Sequence, residues 1–169
     1  LEQLPRSNAP TSGEVRYSEG AAVGYRWFDV KGLEPLFAFG HGLAYTTFGY
    51  SNLAASPSKE SISVNFVVRN TGARSGMAVP QIYVGGDGWE APKRLGGWQK
   101  VLLQPGETKS LTLIVDPRLL AVFDTTANNW KIAAGSYRVM LASAANEIHQ
   151  TVTVQLRALT LPAGWRPGK

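Results

Sequence analysis

The stretch Ser61-Ile62-Ser63-Val64-Asn65-Phe66-Val67-Val68 decides the fold class. Its residues alternate, so Ile62, Val64 and Phe66 share one face of an extended chain, the period of a half-buried strand. Arg69-Asn70-Thr71-Gly72 follows as a turn signal. Outward from it the pattern repeats. Val79 to Val84 reads as a second strand, closed by Gly85-Gly86-Asp87-Gly88, and Arg94 to Leu103 as a third. Gln104-Pro105-Gly106-Glu107 is a turn in which Pro105 takes a position suited to its fixed φ. Thr108 to Val115 is a fourth strand, with Leu111, Leu113 and Val115 on one face. Asp116 and Pro117 suit the cap and first position of a short helical turn reaching Phe123. Trp130 to Ile132, Gly135 to Ala142 and Ile148 to Leu156 complete seven strands. Short strands, frequent turns and almost no helix predict an all-β fold, an antiparallel seven-stranded β-sandwich.

Upstream lies a different kind of sequence. Tyr17 to Tyr50 reads YSEGAAVGYRWFDVKGLEPLFAFGHGLAYTTFGY. Aromatic residues are interspersed with glycines here, which suits an ordered, irregular connection anchored by buried rings. The chain therefore divides into a linker from an upstream domain (1–16), an aromatic connector (17–50), the sandwich (51–157) and a Pro- and Gly-bearing tail (158–169) expected to lie over a surface.

Bulk composition narrows the classes. The chain has 169 residues, 44% hydrophobic and 17% charged, which is globular and large enough for a real core. It has no cysteine, so disulfides and thiolate metal sites are excluded. The net charge is +5, but the basic residues (Arg69, Arg74, Lys93, Arg94, Lys100, Lys109, Arg118) are scattered. That pattern directs the chain to neither nucleic acid nor a membrane surface. No apolar run approaches the ~20 residues of a membrane-spanning helix. The opening LEQLPRSNAPTSGE has no initiator Met and no signal-peptide pattern, and is read as an internal start within a larger protein.

The connector resembles the segment that precedes the C-terminal domain in three-domain β-glucosidases of glycoside hydrolase family 3. The family pattern is roughly EGxxVGYRxFD followed by PLFPFGHGLSYTxF. Glu19, Gly20, Val23 to Arg26, Phe28, Asp29, Pro35 to Phe37 and Phe39 to Phe48 match it; Ala38 and Ala44 replace a common Pro and Ser. The sandwich resembles the fibronectin type III-like, immunoglobulin-like domain that closes many of these enzymes. The matching pieces are Val68 to Gly72, Gln81 to Val84, Leu95 to Val101, Leu103 to Glu107 and Gly135 to Tyr137.

The resemblance implies a retaining parent enzyme that removes terminal non-reducing β-D-glucosyl residues from β-glucosides or cello-oligosaccharides. Its nucleophile, an aspartate, would sit on a (β/α)8 barrel and its acid/base carboxylate in an α/β sandwich domain. Those two domains are the implied partners, with a homodimer contact as a further expected role. No metal or organic cofactor is implied, and this chain by itself is expected to be inactive. A β-xylosidase or arabinofuranosidase parent remains open, although GHGLAYTTF favours a glucosidase. An exported or periplasmic bacterial enzyme is expected, with the signal upstream. An independent carbohydrate-binding or interaction module is the alternative, since a β-sandwich alone does not decide function.

Residues that could carry chemistry are few. Glu14 with Glu19 and Asp87 with Glu90 are the close acidic pairs, both in loop-like surroundings; a retaining pair needs carboxyls about 5–5.5 Å apart. No catalytic residue is assigned. His41, between Gly40 and Gly42, is expected to fix its loop, and His149 to lie on a strand surface. Gly85 to Gly88 lacks the Lys-Ser/Thr of a phosphate loop. A connector can still lend residues to the rim of a neighbouring sugar pocket, where aromatic faces and arginine donors serve. Arg26 and Phe37 are the candidate substrate-binding residues, with Trp89 a third. Against this stand an interdomain ion pair for Arg26, a core position for Phe37 and a loop-anchoring role for Trp89.

Overall fold

In the computed structural model, residues 18–166 are described. In chain order the elements are α1 (Tyr25–Lys31), β1 (Phe48–Pro57), β2 (Ile62–Asn70), β3 (Gly76–Ala78), β4 (Gln81–Gly86) and β5 (Arg94–Trp98). There follow β6 (Val101–Leu103), β7 (Thr108–Ile114), α2 (Pro117–Leu120), β8 (Val122–Asp124) and β9 (Asn129–Ile132). The last are β10 (Gly135–Ala144), β11 (Glu147–Leu156) and β12 (Leu159–Pro162).

Alternation in β2 does what a half-buried strand requires. Ile62, Val64, Phe66 and Val68 are buried and the residues between them are not. β2 sits at the centre of a three-stranded sheet, β1-β2-β7. Its inner face packs with Ile82 and Val84 of β4 and Val139 and Leu141 of β10 in one core. Those strands belong to a four-stranded sheet, β11-β10-β4-β5. All pairings in both sheets are antiparallel. The all-β sandwich expected from the sequence is thus the observed architecture, with three strands facing four. Among the described residues no helix is long and apolar enough to cross a membrane.

Differences from the expected strands have local causes. Arg94 to Leu103 is two strands: β5 pairs with β4, then the chain switches sheets and β6 pairs with β3. The helical turn expected from Asp116 to Phe123 stops at Leu120, because the chain enters β8 at Val122. Its cap is as read: the Asp116 carboxylate accepts the Arg118 N–H at 2.9 Å, with Pro117 first in the helix. Part of the tail is itself a strand. β12 pairs with β9, and Trp165 donates its indole N–H to the Glu60 carboxylate at 3.1 Å. The linker expected over 1–16, with Glu14, lies outside the described residues.

Asn70 shows how a turn signal can be a structural hub. Its side chain is fully buried. Its amide donates to the Arg74 carbonyl at 2.7 Å and the Leu103 carbonyl at 3.0 Å. Its carbonyl oxygen accepts the Thr46 hydroxyl at 2.7 Å and the Gly72 N–H at 3.0 Å. All four bonds an Asn side chain can make are made. Thr46 belongs to the connector, so this residue ties that segment to the sandwich.

Replacing Asn70 with Ala strands buried polar partners, so Asn70→Ala should lower stability by roughly 1–3 kcal/mol in a urea titration. A midpoint within error of the wild type would show that water replaces the lost bonds at no cost.

Candidate functional site at the connector

A seven-residue helix does not persist alone in water. α1 starts after Gly24 and ends at Gly32, whose left-handed conformation closes it. None of its residues is fully buried. Its position therefore comes from specific contacts with the β4–β5 loop and β5.

Three residues of α1 make those contacts. The Tyr25 hydroxyl accepts the Leu95 N–H at 2.7 Å, and its ring packs edge-on against Tyr83 and tilted against Phe39. Asp29 accepts from the Lys93 ammonium at 2.5 Å. Lys93 is a buried cation, only 7% exposed, and lies 5.7 Å from the Tyr83 ring centroid. Arg26 donates to the Glu90 carboxylate at 3.0 Å. Arg94 grips the same carboxylate with two bonds, at 3.0 and 2.6 Å, and donates to the carbonyls of Leu119 and Ala121.

Glu90 is thus held between two guanidinium groups. Burial by itself would raise its pKa. The hydrogen bonds from Arg94, from the Glu90 backbone and from Arg26, together with the Arg94 charge, outweigh burial and hold the carboxyl below the usual Glu range. A carboxylate kept ionised in this way is a poor proton donor, so it does not suit general-acid work. Burial pushes the Tyr25 hydroxyl up, against the opposing effects of the Leu95 amide and Arg26. Tyr83 is raised by burial too.

The candidate residues fall in different settings. Arg26 is half-buried and ion-paired with Glu90. Trp89 packs edge-on against Tyr137 at 5.8 Å and lies under the Arg94 guanidinium at 4.1 Å. Glu90 and Arg94 bring these two residues into one network. Phe37 stands apart from it, 71% exposed, with its ring against His41 at 5.5 Å. Phe37 and α1 line a common cavity of about 530 Å³, together with Phe28, Glu34 and Phe39. His149 is exposed and stacks on Tyr50 at 4.6 Å.

The connector is pinned again just downstream. The Ala145 N–H donates to the Phe39 carbonyl at 2.8 Å. Gly40 has φ +84°, and a Cβ there would overlap the Gln81 carboxamide. Gln81 is buried and bonded to Tyr83 and to the Ser143 carbonyl, so it has little room to give way.

Sequence reasoning missed the Asp29–Lys93 pair, because nothing local marks Lys93 as buried. The Glu90–Arg94 pair had no signal either, because a four-residue spacing joins side chains on a helix and these residues lie in the β4–β5 loop and β5. The contacts of this region are ion pairs, aromatic faces and backbone bonds. They suit binding and positioning more than bond-breaking.

Residues 78–145 match the fibronectin type III-like domain family. The chain is 38% identical over 141 residues to thermostable β-glucosidase B of Acetivibrio thermocellus, covering 79% of this chain and 19% of that protein. It is 36% identical over 146 residues to β-glucosidase BoGH3A of Bacteroides ovatus, covering 82% and 20%. The structure of β-glucosidase 3B from Thermotoga neapolitana in complex with glucose superposes with TM-score 0.80 at 35% identity, covering 88% of this chain and 21% of that one. The chain thus spans about a fifth of the length of the relatives it matches.

The Glu90 clamp has a pH signature. A carboxyl with a lowered folded pKa contributes stability above its unfolded pKa and loses it as pH falls through the folded value. Glu90→Gln should therefore cost about 1.5 kcal/mol at pH 7, the low end for charged hydrogen bonds because solvent screens a partly exposed group. The difference should shrink as pH drops below about 4.3. A gap between wild type and variant that stays constant from pH 7 to pH 3 would contradict the clamp.

Proposed function

We propose that this chain, a relative of the C-terminal part of family 3 β-glucosidases, is the non-catalytic C-terminal portion of an enzyme that releases terminal β-D-glucosyl residues. The parent works with retention, through a nucleophilic carboxylate and an acid/base carboxylate on domains outside this chain. The portion described here supports those domains and lends the connector to the rim of the sugar site.

The observation that carries the reading is the match to β-glucosidases across connector and sandwich together, over 88% of the chain in the Thermotoga neapolitana structure. An independent sandwich module would have no need of the connector. Within it, Phe37 is the residue best placed to meet a sugar. It is a large aromatic left bare on a segment whose backbone is pinned at Phe39 and Gly40. An aromatic face of this kind stacks on the apolar side of a pyranose ring. Arg26 lies on α1, which Glu90 and Lys93 hold beside the cavity that Phe37 lines, and Trp89 packs the β4–β5 loop against the core.

Kinetics of the full-length enzyme on an aryl β-glucoside test this. Phe37→Ala should lower kcat/KM at least tenfold, equivalent to about 1.4 kcal/mol of transition-state binding. Arg26→Ala should lower it less, since Arg94 still holds Glu90. Unchanged kcat/KM in both variants, with intact folding, would retire the rim and leave a supporting role only.

A further inference from the structure

Asp87-Gly88 is the one Asp-Gly or Asn-Gly step in the chain. Both residue types suit a turn, and these two form the exposed turn that leaves β4. Their surroundings allow more than a turn. Gly88 has φ +74°, and the space where a side chain would begin is empty. Among the described residues, the Asp87 carboxylate has neither a hydrogen-bond nor an ion-pair partner, and the Gly88 N–H has no acceptor. The other three aspartates, Asp29, Asp116 and Asp124, are each bonded to a cation. An aspartate side chain is long enough to close a five-membered ring on the nitrogen of the next residue. Crowding by the following side chain and a hydrogen-bonded backbone ordinarily prevent it. Neither obstacle stands at Asp87.

The turn also holds more than itself. Trp89 folds directly back over β4: a Cβ on Gly86 would lie 2.8 Å from its indole ring, so only glycine admits that contact. The same ring packs on Tyr137 at 5.8 Å and carries the Arg94 guanidinium on its face at 4.1 Å. Arg94 holds Glu90, and Glu90 holds Arg26 of α1. The turn is thus pinned on both sides, at Gly86 and at Trp89, and no slack lies between its tip and the clamp on the helix.

We propose that Asp87 is a site of spontaneous covalent isomerisation, and that the modified turn releases the Glu90 clamp on α1. The Gly88 amide nitrogen attacks Cγ of the protonated Asp87 carboxyl. A C–N bond forms, the carboxyl hydroxyl and the proton of the nitrogen leave as water, and a cyclic imide remains. Water then adds to one of the two ring carbonyls. Opening at the original main-chain carbonyl sends the chain through Cβ and Cγ and leaves that carbonyl as a free carboxylate. The composition is unchanged, but the main chain is one carbon longer. In a turn without slack, the added carbon displaces the Trp89 ring and, with it, the Arg94 guanidinium that grips Glu90.

Storage of the folded full-length protein in heavy-oxygen water tests both parts. Each ring opening introduces one heavy oxygen, so peptide mass spectrometry reads position and extent together. Asp87 should label at least tenfold faster than Asp29, Asp116 and Asp124, and fragmentation across residues 87 and 88 should show the rearranged linkage. Asp87→Glu, whose ring would have six members, should leave the position unlabelled. Asp87→Asn, which loses ammonia in place of water, should convert at least tenfold faster than the wild type. After ion-exchange separation, the α1 amides of the converted protein should exchange with deuterium at least tenfold faster than those of the unconverted protein, with β10 unchanged. Asp87 left unlabelled in the folded wild type would overturn the site. Equal α1 exchange in converted and unconverted protein would overturn the release of the clamp.

Discussion

The arrangement depends on a buried ion pair, Lys93 with Asp29. A lysine that is only 7% exposed must be paired or lose its charge, and here its partner comes from the connector helix. Removing either partner would leave the other poorly solvated. The pair therefore acts less as a source of net stability than as a specifier of where α1 lies. The Glu90 bridge between Arg26 and Arg94 works beside it, and the Tyr25 hydroxyl adds a bond to the backbone of β5. Together they turn a helix too short to exist alone into part of the sandwich body.

Two further attachments carry this rigidity along the connector. Gly40 comes so close to Gln81 that no side chain fits between them, and buried Asn70 receives the Thr46 hydroxyl. Between α1 and β1 the chain is thus held at several separate points while its apolar side chains stay outside. That combination is unusual for a loop, which more often hides its rings or moves freely. It makes sense for a segment whose outward residues meet another body in a fixed geometry. Rigid positioning is also what a substrate rim requires, since small misplacements near a reacting centre are costly.

Sequence made the sandwich legible where one face of a strand is buried and the other is not. β2 is the clear case, because Ile62, Val64 and Phe66 alternate with residues that face outward. It failed where tertiary context decides. β1 was hidden because Asn52, at φ 54°, shifts its register and breaks the alternation. β5 and β6 looked like one strand because a change of pairing partner leaves no mark on the sequence. β12 was hidden in a proline- and glycine-bearing tail. In the candidate site, the ion pair considered for Arg26 exists, with Glu90 as partner. The core position considered for Phe37 does not. The burial of Lys93 and Asn70 had no local signature, because it follows from the packing of segments distant in sequence.

Connector and sandwich form one body through the α1 contacts. Native-state hydrogen exchange of the 169-residue chain tests it most directly, at the α1 amides of Phe28 and Gly32 and at Leu95. These amides should be protected in the wild type, and Lys93→Ala should lower their protection at least tenfold while β10 is unchanged. Exchange of the α1 amides at the rate of a free peptide in the wild type would contradict the account.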